Sequence, residues 1–113
     1  MLTNKEIALN AAKTLNDKKG IDVIVLDISD LSAYADFLVI ASGNNERHID
    51  SLVDDVEEKL AKEGIIPKNI EGRAISGWIL MDYGDIIVNV LTKEQRLYYN
   101  IELLWSDGRL VSV

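Results

Sequence analysis

Two apolar runs joined by Tyr83-Gly84 constrain this chain more tightly than any other stretch: Trp78-Ile79-Leu80-Met81-Asp82 and Asp85-Ile86-Ile87-Val88-Asn89-Val90. Runs of this length, separated by a two-residue connection containing glycine, read as a β-hairpin in which Gly84 can supply a positive φ. With Tyr83-Gly84 as the turn, Ile79 faces Val88, Met81 faces Ile86 and Gly77 faces Val90. That surface is apolar apart from the glycine and is the expected core face. The opposite surface pairs Asp82 with Asp85, Leu80 with Ile87 and Trp78 with Asn89. Strand side chains alternate, so a one-residue slip would mix the two sets, and the facing of each residue is well specified. Two carboxylates directly opposite each other cost stability, and a surface shaped only by folding would rarely keep them. Two readings of this second surface stay open. Either Trp78 and Leu80 bury beneath a helix while the acids cap the turn, or they form an exposed patch rimmed by carboxylates and suited to a protein partner.

The remaining segments supply more sheet and its cover. Thr3 and Glu6 form a capping box, and Ile7, Ala8, Ala11, Ala12 and Leu15 follow at helical spacing. This predicts a helix over 4–17, stopped by Lys18-Lys19-Gly20. Ile21 to Ile28 is apolar on both alternating faces apart from Asp22 and Asp27, as in a central strand covered on both sides. Phe37 to Ala41 is a second continuous apolar run. Ser42-Gly43-Asn44-Asn45 then leads into the strongest helix, with Ile49, Leu52, Val53, Val56 and Leu60 on one stripe and mostly acids on the other face. Gly64 sits where a left-handed cap belongs, and Pro67 follows it. Glu71-Gly72-Arg73 reads as a polar loop. Thr92 and Gln95 form a second capping box, opening a last helix that carries Leu97, Ile101, Leu104 and Trp105 and ends at Ser106-Asp107-Gly108. The order helix, strand, strand, helix, hairpin, helix predicts one α/β (α+β) domain over residues 1–113, a mixed sheet flanked by helices.

Charge narrows the partners. With 12 Lys and Arg against 19 Asp and Glu, the net charge is −7. Nucleic-acid binding draws most of its affinity from phosphate neutralisation, so no direct nucleic-acid specificity is expected. The balance suits a basic protein surface, or simply maintains solubility. The absence of cysteine removes disulfides, thiol nucleophiles and Cys-based zinc sites. No apolar stretch approaches the ~18 residues of a membrane span, so a cytoplasmic protein without a membrane partner is expected.

Candidate chemistry is thin. The Ser42-to-Asn45 turn before a helix could cradle an anion on backbone N–H groups, but it lacks the spacing of a phosphate-binding fingerprint, and helix capping is the simpler account. Asp82 and Asp85 could serve Mg²⁺, yet no third carboxylate is clearly placed beside them. His48, the lone histidine, has no nucleophile or acid at a diagnostic offset. No catalytic residue, metal or cofactor is expected.

Three segments together carry a family signature. Asp36-Phe37-Leu38-Val39-Ile40-Ala41-Ser42-Gly43-Asn44 with Glu46-Arg47 resembles the D-F-x-V-I-A-[ST]-G-N-x-x-R segment of the ribosomal silencing factor family (RsfS, or Iojap). Glu71-Gly72 with Trp78 to Val88 is similar to its E-G…W-x-L-x-D-Y-G-D-V-V-V segment, and Glu94, Arg96, Tyr98 or Tyr99, Leu103 or Leu104 and Trp105 to its ending. The resemblance implies a nucleotidyltransferase-like fold and a non-enzymatic protein. It would bind the large ribosomal subunit through ribosomal protein L-fourteen, block association with the small subunit and repress translation. Some members dimerise, which leaves a homodimer as an option. The matching contact residues are Trp78, Leu80, Asp82, Tyr83 and Asp85, with Glu71 and Arg47. Asn89 stands where many members carry His. The alternative reading is a nucleotide-binding protein or degenerate nucleotidyltransferase, with the Gly43 loop on phosphate and Asp82 and Asp85 on Mg²⁺.

Overall fold

Phe37–Gly43, which contains the second continuous apolar run, forms a strand (β2) buried along its whole length, and the sheet extends outward from it. The structure, a computed structural model, describes residues 2–113. The other strands are β1 (Ile21–Asp27), β3 (Asn69–Arg73), β4 (Trp78–Asp82), β5 (Ile86–Thr92) and β6 (Arg109–Val111). They form one six-stranded mixed sheet in the order β3-β4-β5-β2-β1-β6. β2 and β5 run parallel, with Phe37 opposite Ile86 and Gly43 opposite Thr92. The pairs β1–β2, β1–β6, β3–β4 and β4–β5 are antiparallel.

Helices α1 (Asn4–Asp17) and α2 (Glu46–Ala61) cover one face. The Thr3–Glu6 capping box closes α1: the Thr3 hydroxyl accepts from Glu6 N–H at 3.1 Å, and Glu6 Oε1 accepts from Thr3 N–H at 3.0 Å. The apolar stripes of both helices, Ala8, Ala11, Ala12 and Leu15 on α1 and Ile49 to Leu60 on α2, bury against Val39, Ala41, Ile79, Met81, Val88 and Val90. This face is closed apart from the β3 edge, where Ile70 is exposed. The second face is covered only in part, by two short helices, α3 (Lys93–Tyr99) and α4 (Ile101–Leu104). Its smaller core is built from Leu26, Leu38, Ile40, Leu91 and Ile101, with Trp78 and Trp105 packed at its margin.

Several expectations are corrected. The hairpin turn lies one residue later, at Gly84-Asp85, where Tyr83 N–H donates to the Ile86 carbonyl at 2.9 Å. The register therefore moves by two: Ile79 faces Val90, Met81 faces Val88, Leu80 faces Asn89 and Trp78 faces Leu91. A shift of two preserves alternation, so Ile79, Met81, Ile86, Val88 and Val90 are still core residues. Asp82 and Asp85 are no longer a cross-strand pair; Asp82 faces Ile87. The polar segment around Glu71 is not a loop but the edge strand β3, exposed at every residue. Arg109–Val111 forms the other edge, also unforeseen. β1 is less covered than its pattern suggests: Asp22 is exposed with φ 48°, and the β1–β2 register shifts between Ile21 and Ile24. The last helix is broken by Asn100 at φ 47°, leaving Leu97 and Leu104 exposed rather than buried.

The break is held by a buried cation. Arg96 on α3 donates from Nε to Glu102 at 2.6 Å, and from one terminal nitrogen to the Ile21 carbonyl at 3.2 Å and Ser42 Oγ at 3.1 Å. One side chain thus ties both short helices to β1 and β2. Among the described residues, no helix is long and apolar enough to cross a membrane.

Gly72 fixes how β3 joins the sheet. Its φ is 88°, and a Cβ there would run into the Trp78 carbonyl. Gly72→Ala is expected to cost at least about 1 kcal/mol from backbone strain alone, read as a lower urea midpoint with an unchanged slope.

Candidate partner-binding face

The alternation of β4 sends Trp78, Leu80 and Asp82 to the partly covered face. Glu71 joins them because it pairs with Leu80 across β3–β4, while Arg73 pairs with Trp78 and Asn69 with Asp82. Glu71, Gly72, Ser76, Trp78, Leu80 and Tyr99 line an open groove of about 290 Å³. Trp78 and Leu80 are half-buried, neither sealed beneath a helix nor fully exposed: Tyr99 of α3 leans over the tryptophan without closing over the face. The Tyr99 ring lies 4.7 Å from the indole at 48°, and Tyr98 meets Tyr99 edge-on at 5.0 Å. The indole Nε1–H donates to Asn89 Oδ1 at 2.9 Å. Asn89, on the surface whose exposure the sequence left open, is buried.

The turn acids differ from each other. Asp82 Oδ1 accepts from Gly84 N–H at 2.8 Å, so this carboxylate shapes the turn. The Asp85 side chain is exposed, and its carbonyl accepts from Asp36 and Phe37 N–H at 2.8 and 3.1 Å, which anchors the turn to the start of β2. The rim is not purely acidic. A Cβ on Gly84 would lie 3.1 Å from Lys68 Nζ, so a lysine sits over the turn, and Arg73 stands opposite Trp78.

Two of the expected residues lie elsewhere. Tyr83 shares the alternation of Met81 and packs on the closed face, against the core under α1 and α2. Its hydroxyl is buried without a hydrogen-bond partner among the described residues. Burial, with a smaller contribution from the Glu57 charge, pushes this phenol up to about 12. Arg47 is exposed on the first turn of α2, which follows the end of β2, whereas the hairpin turn meets its beginning. The two are separated by the length of β2, roughly 20 Å. Conversely, Tyr99, Ser76 and Lys68 were missed as neighbours of the site. Tyr98 or Tyr99 appeared only in the family signature, and β3 itself was needed to place Ser76 and Lys68.

The Gly43 loop is committed to the fold. Asn45 Oδ1 caps α2 by accepting from His48 N–H at 2.8 Å, and Asn44 N–H donates to His48 Nδ1 at 2.9 Å. Two N–H groups that an anion would use are therefore engaged. Among the described residues, no cluster of three or more His, Asp or Glu side chains is placed to hold a metal ion. What the second face offers chemically is a part-open aromatic and aliphatic surface with charged edges.

The family model described as "Ribosomal silencing factor during starvation" matches residues 2–113. A ribosomal silencing factor RsfS from Halalkalibacterium halodurans is 34% identical over 112 residues, covering 99% of this chain and 96% of the relative. One from Bacillus subtilis is 33% identical over 112 residues, covering 99% and 95%. A crystal structure of a protein from Chromobacterium violaceum superposes with a TM-score of 0.89 at 35% identity, covering 98% of this chain and 92% of that one.

The buried phenol yields a direct expectation. Removing an unsatisfied hydroxyl removes its desolvation cost, so Tyr83→Phe should leave stability unchanged or raise it by about 1 kcal/mol, seen as an equal or higher Tm. The phenol ionises near 10.0 when unfolded and only near 12 in the fold. Its contribution to stability is therefore full below pH 10 and lost as pH rises towards 12. A spectrophotometric titration should show one late phenol, absent from Tyr83→Phe.

Proposed function

The chain belongs to the ribosomal silencing factor family, RsfS or Iojap, whose members are not enzymes, and we propose that it silences translation in the cytoplasm by binding ribosomal protein L-fourteen on the large subunit. Bound there, a folded body with extents of 32 × 32 × 24 Å would block the small subunit by bulk alone. Such a mechanism needs affinity and location but no bond-making chemistry.

The observation that carries this reading is the groove floored by Trp78 and Leu80. Part-open aromatic surface beside charged groups is the usual material of an interface hot spot, and here it lies on the face that the helices leave incompletely covered. A ribosomal protein seated among RNA phosphates carries basic side chains. Glu71, Asp82 and Asp85, in a chain of net charge −7, would speed its encounter. The second expected contribution, from Tyr83 and Arg47, is weaker: one packs inward and the other sits at the far end of β2.

A sucrose gradient tests the activity: the protein should co-sediment with isolated large subunits and reduce the joined particles formed on adding small ones. Joining that proceeds unchanged at saturating protein would reject the reading. Trp78→Ala should weaken binding on the order of 30-fold, with a native circular dichroism spectrum. Glu71→Lys and Asp85→Lys, both at exposed positions, should slow association most at low salt. Should all three variants bind like the parent, the face is assigned wrongly.

A further inference from the structure

We propose that Asn89 is a positioning residue for binding, acting on the partner through Trp78 by holding the indole in its groove-forming orientation before the partner arrives. This rests on the reading above that the Trp78 face binds the large subunit.

β5 is otherwise built for packing: Ile86, Ile87, Val88, Val90 and Leu91 surround Asn89 in the strand. Asn89 is 2% exposed, with Leu80 beside it on β4 and Ile40 beside it on β2. An amide in such surroundings destabilises a sheet unless it is hydrogen-bonded, and an aliphatic residue would serve packing better. Its partner is the indole Nε1–H of Trp78, at 2.9 Å. Trp78 stands opposite Leu91 rather than Asn89, so this bond runs diagonally across the two strands. It draws the nitrogen edge of the indole towards the middle of the sheet. Tyr99 contacts the same ring from α3, at 4.7 Å between centroids. The indole is thus fixed by an acceptor in the sheet and a ring on the helix, although it is only half-buried. A large side chain ordered in advance does not have to lose that freedom on binding, so affinity gains.

Asn89→Leu replaces the amide with an apolar group of similar shape and leaves the indole N–H without its acceptor. In an ¹⁵N–¹H spectrum the Trp78 indole signal should move upfield while that of Trp105 stays in place as an internal control. Affinity for isolated large subunits should fall about three- to tenfold. Trp78→Phe keeps an aromatic ring but lacks the N–H, so in that background Asn89→Leu should change binding by less than about twofold. Equal losses in both backgrounds, or an indole signal that does not move, would overturn the positioning role. If Trp78→Ala loses binding but Asn89→Leu does not, the positioning role alone fails. If Trp78→Ala binds normally, the binding face itself fails, and the proposal with it.

Discussion

The parallel pairing of β2 with β5 is the constraint on which the rest of the structure depends. Seven residues of each strand are matched, from Phe37 with Ile86 to Gly43 with Thr92. Every residue of β2 is buried, so both faces of this pair must be covered. Parallel strands end at the same side of the sheet, and each here runs almost directly into a helix. Asn45 caps α2 two residues after β2, and Thr92, the last residue of β5, caps α3 by accepting from Gln95 N–H at 3.2 Å. A Cβ on Gly43 would come within 3.0 Å of Ile49 Cγ1, which shows how tightly the chain turns back onto the sheet. At the opposite end, the Asp85 carbonyl bonds the two N–H groups that open β2. The hairpin is thereby locked to the central pair.

Unequal cover of the two faces follows from the lengths of the helices that these caps start. α1 and α2, of 14 and 16 residues, cover their face except at the β3 edge. α3 has 7 residues and α4 has 4, with Asn100 between them in a left-handed conformation. Short helices of this kind have little stability of their own, so their position rests on tertiary contacts. Arg96 supplies them: at 9% exposure it reaches two strands and Glu102 at once. A buried guanidinium is favourable only when its donors are met, and it therefore specifies where the broken helix lies. That placement brings Tyr99 over Trp78 but leaves Leu80 and the β3 edge uncovered.

The helices and hairpin of the closed half were legible in the sequence, whereas Tyr83 and β6 on that half, and much of the open half, were not. α1 was legible to its last residue because capping box, apolar spacing and glycine agreed. The hairpin faces were legible despite a misplaced turn, since an error of two residues leaves alternation intact. β3 was not legible. Asn-Ile-Glu-Gly-Arg buries no residue, so it holds its place through backbone pairing with β4 and through Gly72, neither of which leaves a hydrophobic pattern. The C-terminal helix misled for the opposite reason: Leu97 and Leu104 keep helical spacing, yet α3 turns Arg96 inward and the left-handed Asn100 breaks the stripe, so both leucines are exposed. Because the groove is made where β3 meets this broken helix, its floor was predictable and its walls were not.

The turn acids show why a charge pattern cannot be read without its register. Had Asp82 and Asp85 faced each other, each would have destabilised the hairpin through the other, and the two would have been equivalent. In the observed register they do separate work. Asp82 holds the turn through Gly84, while Asp85 offers a free side chain and anchors β2 with its backbone. Lys68 over the turn and Arg73 opposite Trp78 reduce the local excess of negative charge further. On the proposed reading, charge at this face would steer a basic partner rather than hold it, because exposed and partly neutralised carboxylates contribute little once solvent screens them. Retention would then fall to the apolar floor, where a ring held by Asn89 and Tyr99 would count for more than an additional acid.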